Sequence, residues 1–243
     1  RTPRYGLHLE EHRQATRRYT VRQQPNGLTD WGVLGAVIGQ KAGSYWEVPV
    51  IEGIERIPTS DEIKHFGAAM ASYGSIPLFH IVGVTPECQK ITDTGGDRLN
   101  AEEILAADLA ALREPFGAKG EKVDVVVFAA PQLSLIEMQQ VAELCRGKLI
   151  HTNTDLLVCT SASVYVDANR MGYIEAIECF GGKVLQGTCF YQQYAREIGE
   201  ANGWKRLLSN STKIVNILGG YGYLPALASM EECIHSATVG EIV

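Results

Sequence analysis

The stretch Gly181–Gln193, GGKVLQGTCFYQQ, carries a short apolar run onto Gly187, Thr188 and Cys189. A thiol delivered to the end of a strand can be a nucleophile, a soft metal ligand or an inert packing group. A nucleophilic cysteine needs a base, yet His80 and His151 are distant in sequence and no Cys–His signature is present. A ligand of iron or of an iron–sulfur centre is then the better functional reading, with the inert thiol open beside it. Two further runs share a grammar: CTSAS, containing Ser161, and LSNSTK, containing Ser209, Asn210, Ser211 and Lys213. Small hydroxyl residues between a strand and a helix offer N–H and O–H groups to an anion, helped by the helix dipole. The plain alternative is that they cap helices. Lys213 adds a mobile positive charge, so the pair suits a carboxylate or phosphate. His80 lies in the apolar run Ile76–Gly83 and is a candidate substrate contact, although such a histidine is more often a hydrogen-bonded core group. GGYGY (219–223) lacks the G-x-G-x-x-G spacing of a dinucleotide loop.

The elements that must position these groups repeat as strand then helix. Thr59-x-x-Glu62, Ser134-x-x-Glu137 and Ser229-x-x-Glu232 are capping boxes. They open helices that end near Gly74, Gly147 and Gly240. Asn100-x-x-Glu103 predicts a helix over 101–116. Strands are predicted at 76–83, 123–130, 156–161, 183–189 and 205–210. Of these, VDVVVFAA is a β-branched run suited to a parallel strand covered on both faces. WGVLGAVIGQKAG reads as a glycine-rich helix in close contact with a neighbour, and EVPVIEG as a strand. The rhythm predicts an α/β fold of mainly parallel sheets with flanking helices. EPFGAKGEK looks like a connector, which gives subdomains 1–120 and 121–243. In an open parallel sheet, ligands bind beyond the carboxyl ends of the strands, where Cys189 and both hydroxyl runs fall.

The 243 residues, 45% apolar and 21% charged, describe an ordinary globular protein. No apolar run reaches the roughly 18 residues of a membrane span, and the polar start is no signal peptide. The first residue is arginine, so an upstream portion is expected to be missing. The net charge of -6 is uneven. Arg1, Arg4, Arg13, Arg17, Arg18 and Arg22 make the start basic, as a solvated or inter-domain face or as an anion-attracting or subunit-facing segment. The acidic remainder argues against nucleic acid. Six cysteines without CxxC spacing fit a reduced, cytoplasmic chain. Cys145, Cys159, Cys179 and Cys233 are expected in the core, whereas Cys88 and Cys189 fall in loops.

PRYGLHLEEHR, DWGVLGAVIGQKAG, VPVIEGI, PTSDEIKHFGAAMASYGSIPLFHIVGVTPE, GTC, SNSTK and SMEECIHSATVGE follow one another in an order and rough spacing that hold from Arg4 to Glu241, nearly the entire chain. Together they resemble the large subunit of the aconitase X family. The resemblance implies aconitase-like three-layer α/β/α subdomains and a hydro-lyase that dehydrates a small hydroxy acid. In that chemistry a base takes the Cα proton, and an iron or iron–sulfur centre (2Fe–2S or 4Fe–4S) acts as Lewis acid on the departing hydroxyl. It also implies a small swivelling domain or subunit that supplies a catalytic serine. Cys189 looks like the ligand cysteine of the family's D-T-C pattern, with Gly187 in the place of Asp. Lys213 looks like the lysine of an S-A-K stretch that holds an acidic substrate. Many members have Gly-Cys-Pro-His where this chain has Ala129-Ala130-Pro131-Gln132, so a second ligand cysteine is replaced by Ala130. That departure points to the bacterial branch acting on cis-3-hydroxy-L-proline, with phosphomevalonate or another hydroxy acid as the alternative. A non-catalytic subunit that binds an acid or a partner is the rival of another class.

Overall fold

A computed structural model describes residues 5–243 of the chain. Arg1 and Arg4 of the basic segment lie outside the described residues. The chain divides into two compact units, Arg1–Leu112 and Arg113–Val243.

The first unit is a four-stranded sheet built from β1 (Arg17–Val21), β2 (Pro49–Glu52), β3 (His80–Ile81) and β4 (Ala101–Ile104). Its order is β3-β2-β1-β4, with every pairing parallel. Helix α1 (Gly27–Ala42) joins β1 to β2, and α2 (Ser60–Gly74) joins β2 to β3. Both crossovers advance the same way along the sheet, so right-handed connection places both helices over one face. The Thr59 capping box opens α2 as expected. The two helices touch through glycine. A Cβ at Gly35 would stand 2.2 Å from the Phe66 carbonyl oxygen, and one at Gly74 would stand 2.0 Å from that of Gly39.

Three expectations change here. The strand predicted at 76–83 shrinks to His80–Ile81. Pro77 has no N–H to give a ladder, and this edge element pairs only with Val50 and Ile51 of β2. The helix predicted over 101–116 begins as β4, which fills the open edge of β1. Lys41 holds Glu102 at 2.7 Å and Arg22 holds Glu103 at 2.5 Å. Helix α3 (Ala106–Arg113) starts only where Asp108 accepts the Leu105 N–H at 2.8 Å. Tertiary pairing outweighs the helix propensity of Ala-Glu-Glu-Ile. Finally, the basic start is a central strand rather than an open patch. Arg13, Arg17, Arg18 and Arg22 pair with Glu87, Glu47, Glu52 and Glu103.

The second unit is a five-stranded parallel sheet of order β7-β6-β5-β8-β9. Its strands are β5 (Val125–Leu133), β6 (Asp155–Thr160), β7 (Lys183–Gln186), β8 (Arg206–Ser209) and β9 (Leu224–Leu227). Helix α4 (Leu135–Cys145) links β5 to β6, and α5 (Ala162–Arg170) and α6 (Tyr173–Phe180) link β6 to β7. The chain then crosses back through α7 (Ala195–Asn202) to β8, on the other side of β5. It continues through α8 (Thr212–Leu218) to β9 and ends in α9 (Met230–Val239). The reversal puts helices on both faces and opens a switch point between the carboxyl ends of β5 and β8. The core on one face is Val125, Val127, Leu157, Cys159 and Leu207 beneath Phe190, Ile214 and Tyr223. Strand β9 was not foreseen, because Pro225 interrupts its pattern. It is tolerated on an edge, where the missing N–H faces no partner.

One cysteine expectation also changes. Cys179 is exposed, since α6 turns Tyr173, Ile174, Ile177 and Phe180 inward and leaves Cys179 off that face. Cys88 lies in a loop as expected and is fully buried there, with its sulfur 3.6 Å from the Lys90 carbonyl and 3.8 Å from Thr94 Oγ1. Cys145, Cys159 and Cys233 are buried as expected.

Candidate active site

Strand β7, read from sequence as buried, is an edge strand with Lys183 and Gln186 exposed. At its end Gly187 takes φ 68, a left-handed conformation that favours glycine. Its N–H donates to the Thr160 carbonyl at 2.8 Å. The chain thereby turns back over the sheet, and Gln132 Nε2 pins the turn by donating to the Thr188 carbonyl at 2.8 Å. Cys189 lands half-buried against the core face, at the end of β5.

Ala130 is the hub. It stands at φ 45, where an L-residue costs about 1–3 kcal/mol, and the β5–β6 register shifts around it. Its N–H favours the anion of the Cys189 sulfur, and its carbonyl accepts the Ser211 hydroxyl at 2.8 Å. Ser209 closes the same gap by donating to the Val127 carbonyl at 2.6 Å and accepting the Ser211 N–H at 3.1 Å. Both serines are buried, so their hydroxyl hydrogens tie β8 to β5 rather than point outward. We expect Ser211→Ala to cost about 1–3 kcal/mol in urea unfolding, because it leaves the Ala130 carbonyl buried without this donor.

Burial pushes the Cys189 thiol up from its ordinary value. The Tyr191 N–H, the Lys213 charge and the N–H groups of Ala130 and Phe190 act against that. These four groups stabilise a sulfur anion without a base to generate it, which suits a ligand better than a nucleophile. Lys213 Nζ lies 5.9 Å from the Tyr191 ring centre, a cation–π distance. Cys159 also interacts electrostatically with Cys189, but burial carries its pKa to about 12, and it packs as core.

The switch point thus brings together Cys189, Ser209, Asn210, Ser211 and Lys213. Ser161 belongs to the end of β6, where its Oγ accepts the Val164 N–H at 3.2 Å as the cap of α5 and lies 3.0 Å from Ser163 Oγ. His80 belongs to the first unit. Tyr191 and Gln132 were not foreseen as part of the site, because their roles depend on the turn at Gly187. Among the described residues no group of three His, Cys, Asp or Glu is placed to hold a metal ion. The donor set therefore fits one ligand of an iron centre, Cys189, and does not form a whole site.

The consecutive domain models match in order: the aconitase X second domain over residues 15–114 and the aconitase X third domain over residues 123–239. The chain belongs to the aconitase X family. It is 35% identical over 228 residues to the phosphomevalonate dehydratase large subunit of Methanothermobacter thermautotrophicus, covering 93% of this chain and 54% of that protein. To the subunit of the same name from Thermococcus kodakarensis it is 32% identical, covering 98% and 58%. To cis-3-hydroxy-L-proline dehydratase of Pseudomonas aeruginosa it is 29% identical, covering 99% and 42%. A crystal structure of Thermococcus kodakaraensis aconitase X in its holo-form superposes with a TM-score of 0.83 at 30% identity, covering 97% of this chain and 58% of that one. The chain spans about half the length of the curated relatives it matches. No helix among the described residues is long and apolar enough to cross a membrane.

Proposed function

We propose that this chain is the large-subunit part of a cytoplasmic aconitase-X-type hydro-lyase that removes water from a small hydroxy acid. The observation that carries this reading is the convergence of Cys189, Lys213 and the Ala130, Phe190 and Tyr191 N–H groups at the switch point of the second sheet. An iron or iron–sulfur centre, when bound, would supply a Lewis acid for the departing hydroxyl. Cys189 would hold it from this side, and further ligands must come from beyond the described residues. Lys213 would hold the substrate carboxylate, Asn210 would lie beside it, and Ser209 and Ser211 would keep the floor of the crevice rigid. The small swivelling domain or subunit implied by the resemblance would close over the crevice.

Lys213 supplies a positive charge that acts on Cys189. One cation suits a monocarboxylate, which favours cis-3-hydroxy-L-proline. Phosphomevalonate is the second reading, favoured by the names of relatives at 32% and 35% identity. The test is a turnover panel of both compounds on anaerobically purified protein with its partner. Dehydration of cis-3-hydroxy-L-proline alone is the expected result, and turnover of phosphomevalonate alone reverses the substrate assignment. Failure of both, with iron absent, leaves a non-catalytic acid-binding subunit. Lys213→Gln should raise KM by about 10–100-fold, the value of a charged hydrogen bond, with the fold intact.

A further inference from the structure

The second unit contains a cavity of about 370 Å³, lined by α7 and by the turns that lead into β8 and β9. That volume is within the ordinary range for small-molecule sites. The cavity lies at the amino ends of these strands, whereas the candidate active site lies at the carboxyl ends of β5 and β8, and the two share no residue. Its aromatic walls are fixed from within. The Trp204 indole N–H donates to Asp155 Oδ2 at 3.0 Å, and the Tyr223 hydroxyl donates to the Ala195 carbonyl at 2.7 Å. Gly199 makes room for that hydroxyl, since a Cβ there would stand 2.6 Å from it. Both polar tips are used inside the protein, so these rings give the cavity apolar surface. Tyr221 is the half-buried ring of the three and the one a ligand can reach. The cations of the lining, Arg196 and Lys205, are both exposed. Arg196 Nη2 donates to the Gly220 carbonyl at 3.1 Å, which orients the guanidinium and leaves its charge without a carboxylate among the described residues. The Lys205 ammonium also has no partner among them, whereas its neighbour Arg206 is paired with Glu121. Glu200 supplies the lining's carboxylate, so one positive charge stands in excess.

We infer that this cavity is a binding site for a planar aromatic monoanion of the aromatic carboxylate type. The ligand carboxylate accepts from Arg196 and Lys205, and its ring packs against Tyr221. One excess charge on the lining matches one charge on the ligand, and Glu200 opposes a second. The inference goes beyond the dehydratase reading and uses none of its residues.

The test is equilibrium dialysis of the full chain against benzoate, acetate (the charge without the ring) and benzamide (the ring without the charge). A ¹⁵N-tryptophan spectrum locates the binding, because Trp204 lines the cavity while Trp31 and Trp46 belong to the first unit. The expected result is saturable benzoate binding that moves the Trp204 indole signal alone, with acetate and benzamide at least about tenfold weaker. Lys205→Gln and Arg196→Gln should each lose about tenfold in benzoate affinity, the value of a charged hydrogen bond, and Tyr221→Leu about threefold to tenfold. Because Arg196 and Lys205 are exposed, their variants should remain folded, which a circular dichroism spectrum checks. No saturable binding, equal binding of the three probes, or unchanged affinity in both charge variants overturns the site. Lys213→Gln should bind benzoate as before. Loss of binding in that variant would place the ligand in the candidate active site and overturn the inference too.

Discussion

Replacing Cys189 by alanine should lower dehydration by at least about 100-fold in the anaerobically purified protein with its partner, and iron content should fall with it. The physical basis is that the Tyr191, Ala130 and Phe190 N–H groups and the Lys213 charge all favour the anion of this sulfur. Alanine removes the sulfur and leaves those donors with nothing to stabilise. Loss of a single preorganised electrostatic contact at a reacting centre is commonly worth about 10²–10³ in rate. The fold should tolerate the change, because Cys189 is half-buried and lies beyond the end of an edge strand. Its hold on the chain comes from Gly187 and Gln132 rather than from the thiol. Cys159→Ala is the control, since that thiol is a packed core group. It should cost stability and leave iron content unchanged. An alanine variant at Cys189 that keeps both iron and turnover would remove this cysteine from the centre and return it to the status of an inert thiol.

Gly35→Val should be the most damaging change to the fold of the first unit, at about 3 kcal/mol or more by urea denaturation. Even a single Cβ there would lie 2.2 Å from the Phe66 carbonyl oxygen, 2.9 Å from its carbon and 3.1 Å from its Cα. All three atoms are backbone, so no side chain can swing aside, and α1 and α2 must separate. Ordinary overpacking costs about 1–3 kcal/mol. Here separation would also loosen the edge-to-face contact of Trp31 with Phe66, whose centroids are 5.8 Å apart, so the upper end is the minimum. Gly6→Ala is the useful contrast: a Cβ there meets nothing within 4 Å, and only its φ of 57 opposes the change. A Gly35→Val protein with an unchanged urea midpoint would show that the two helices do not pack backbone to backbone.

Much of the architecture was legible because local signals and tertiary demand agree. The three boxes at Thr59, Ser134 and Ser229 cap helices as read, each with reciprocal side-chain and backbone hydrogen bonds. The run at 125–130 had no alternative to a strand covered on both faces. The failures share one cause. Arg17–Val21 belongs to a basic stretch that could attract an anion, and it becomes a central strand in which Arg17 and Arg18 pair with glutamates far along the chain. Ala101–Ile104 reads as a helix start, and it becomes a strand because β1 has a free edge. Neither partner is near in sequence, so no periodicity could reveal it.

The site divides along the same line. Residue types and strand order alone placed a lone thiol and a lysine-bearing hydroxyl run at the carboxyl edge of a parallel sheet, since parallel strands deliver their ends to one side. What the hydroxyls do there was decided only in three dimensions. Ser161 caps a helix, whereas Ser209 and Ser211 bond across to carbonyls of β5, 82 and 81 residues away. Ala130 looked like a gap because its side chain carries no donor. The folded chain uses its backbone instead, with the N–H favouring the Cys189 anion and the carbonyl accepting the Ser211 hydroxyl, at a left-handed φ that sequence cannot announce. Side-chain chemistry is written in the residue, but the direction of a peptide group is set by long-range packing around it.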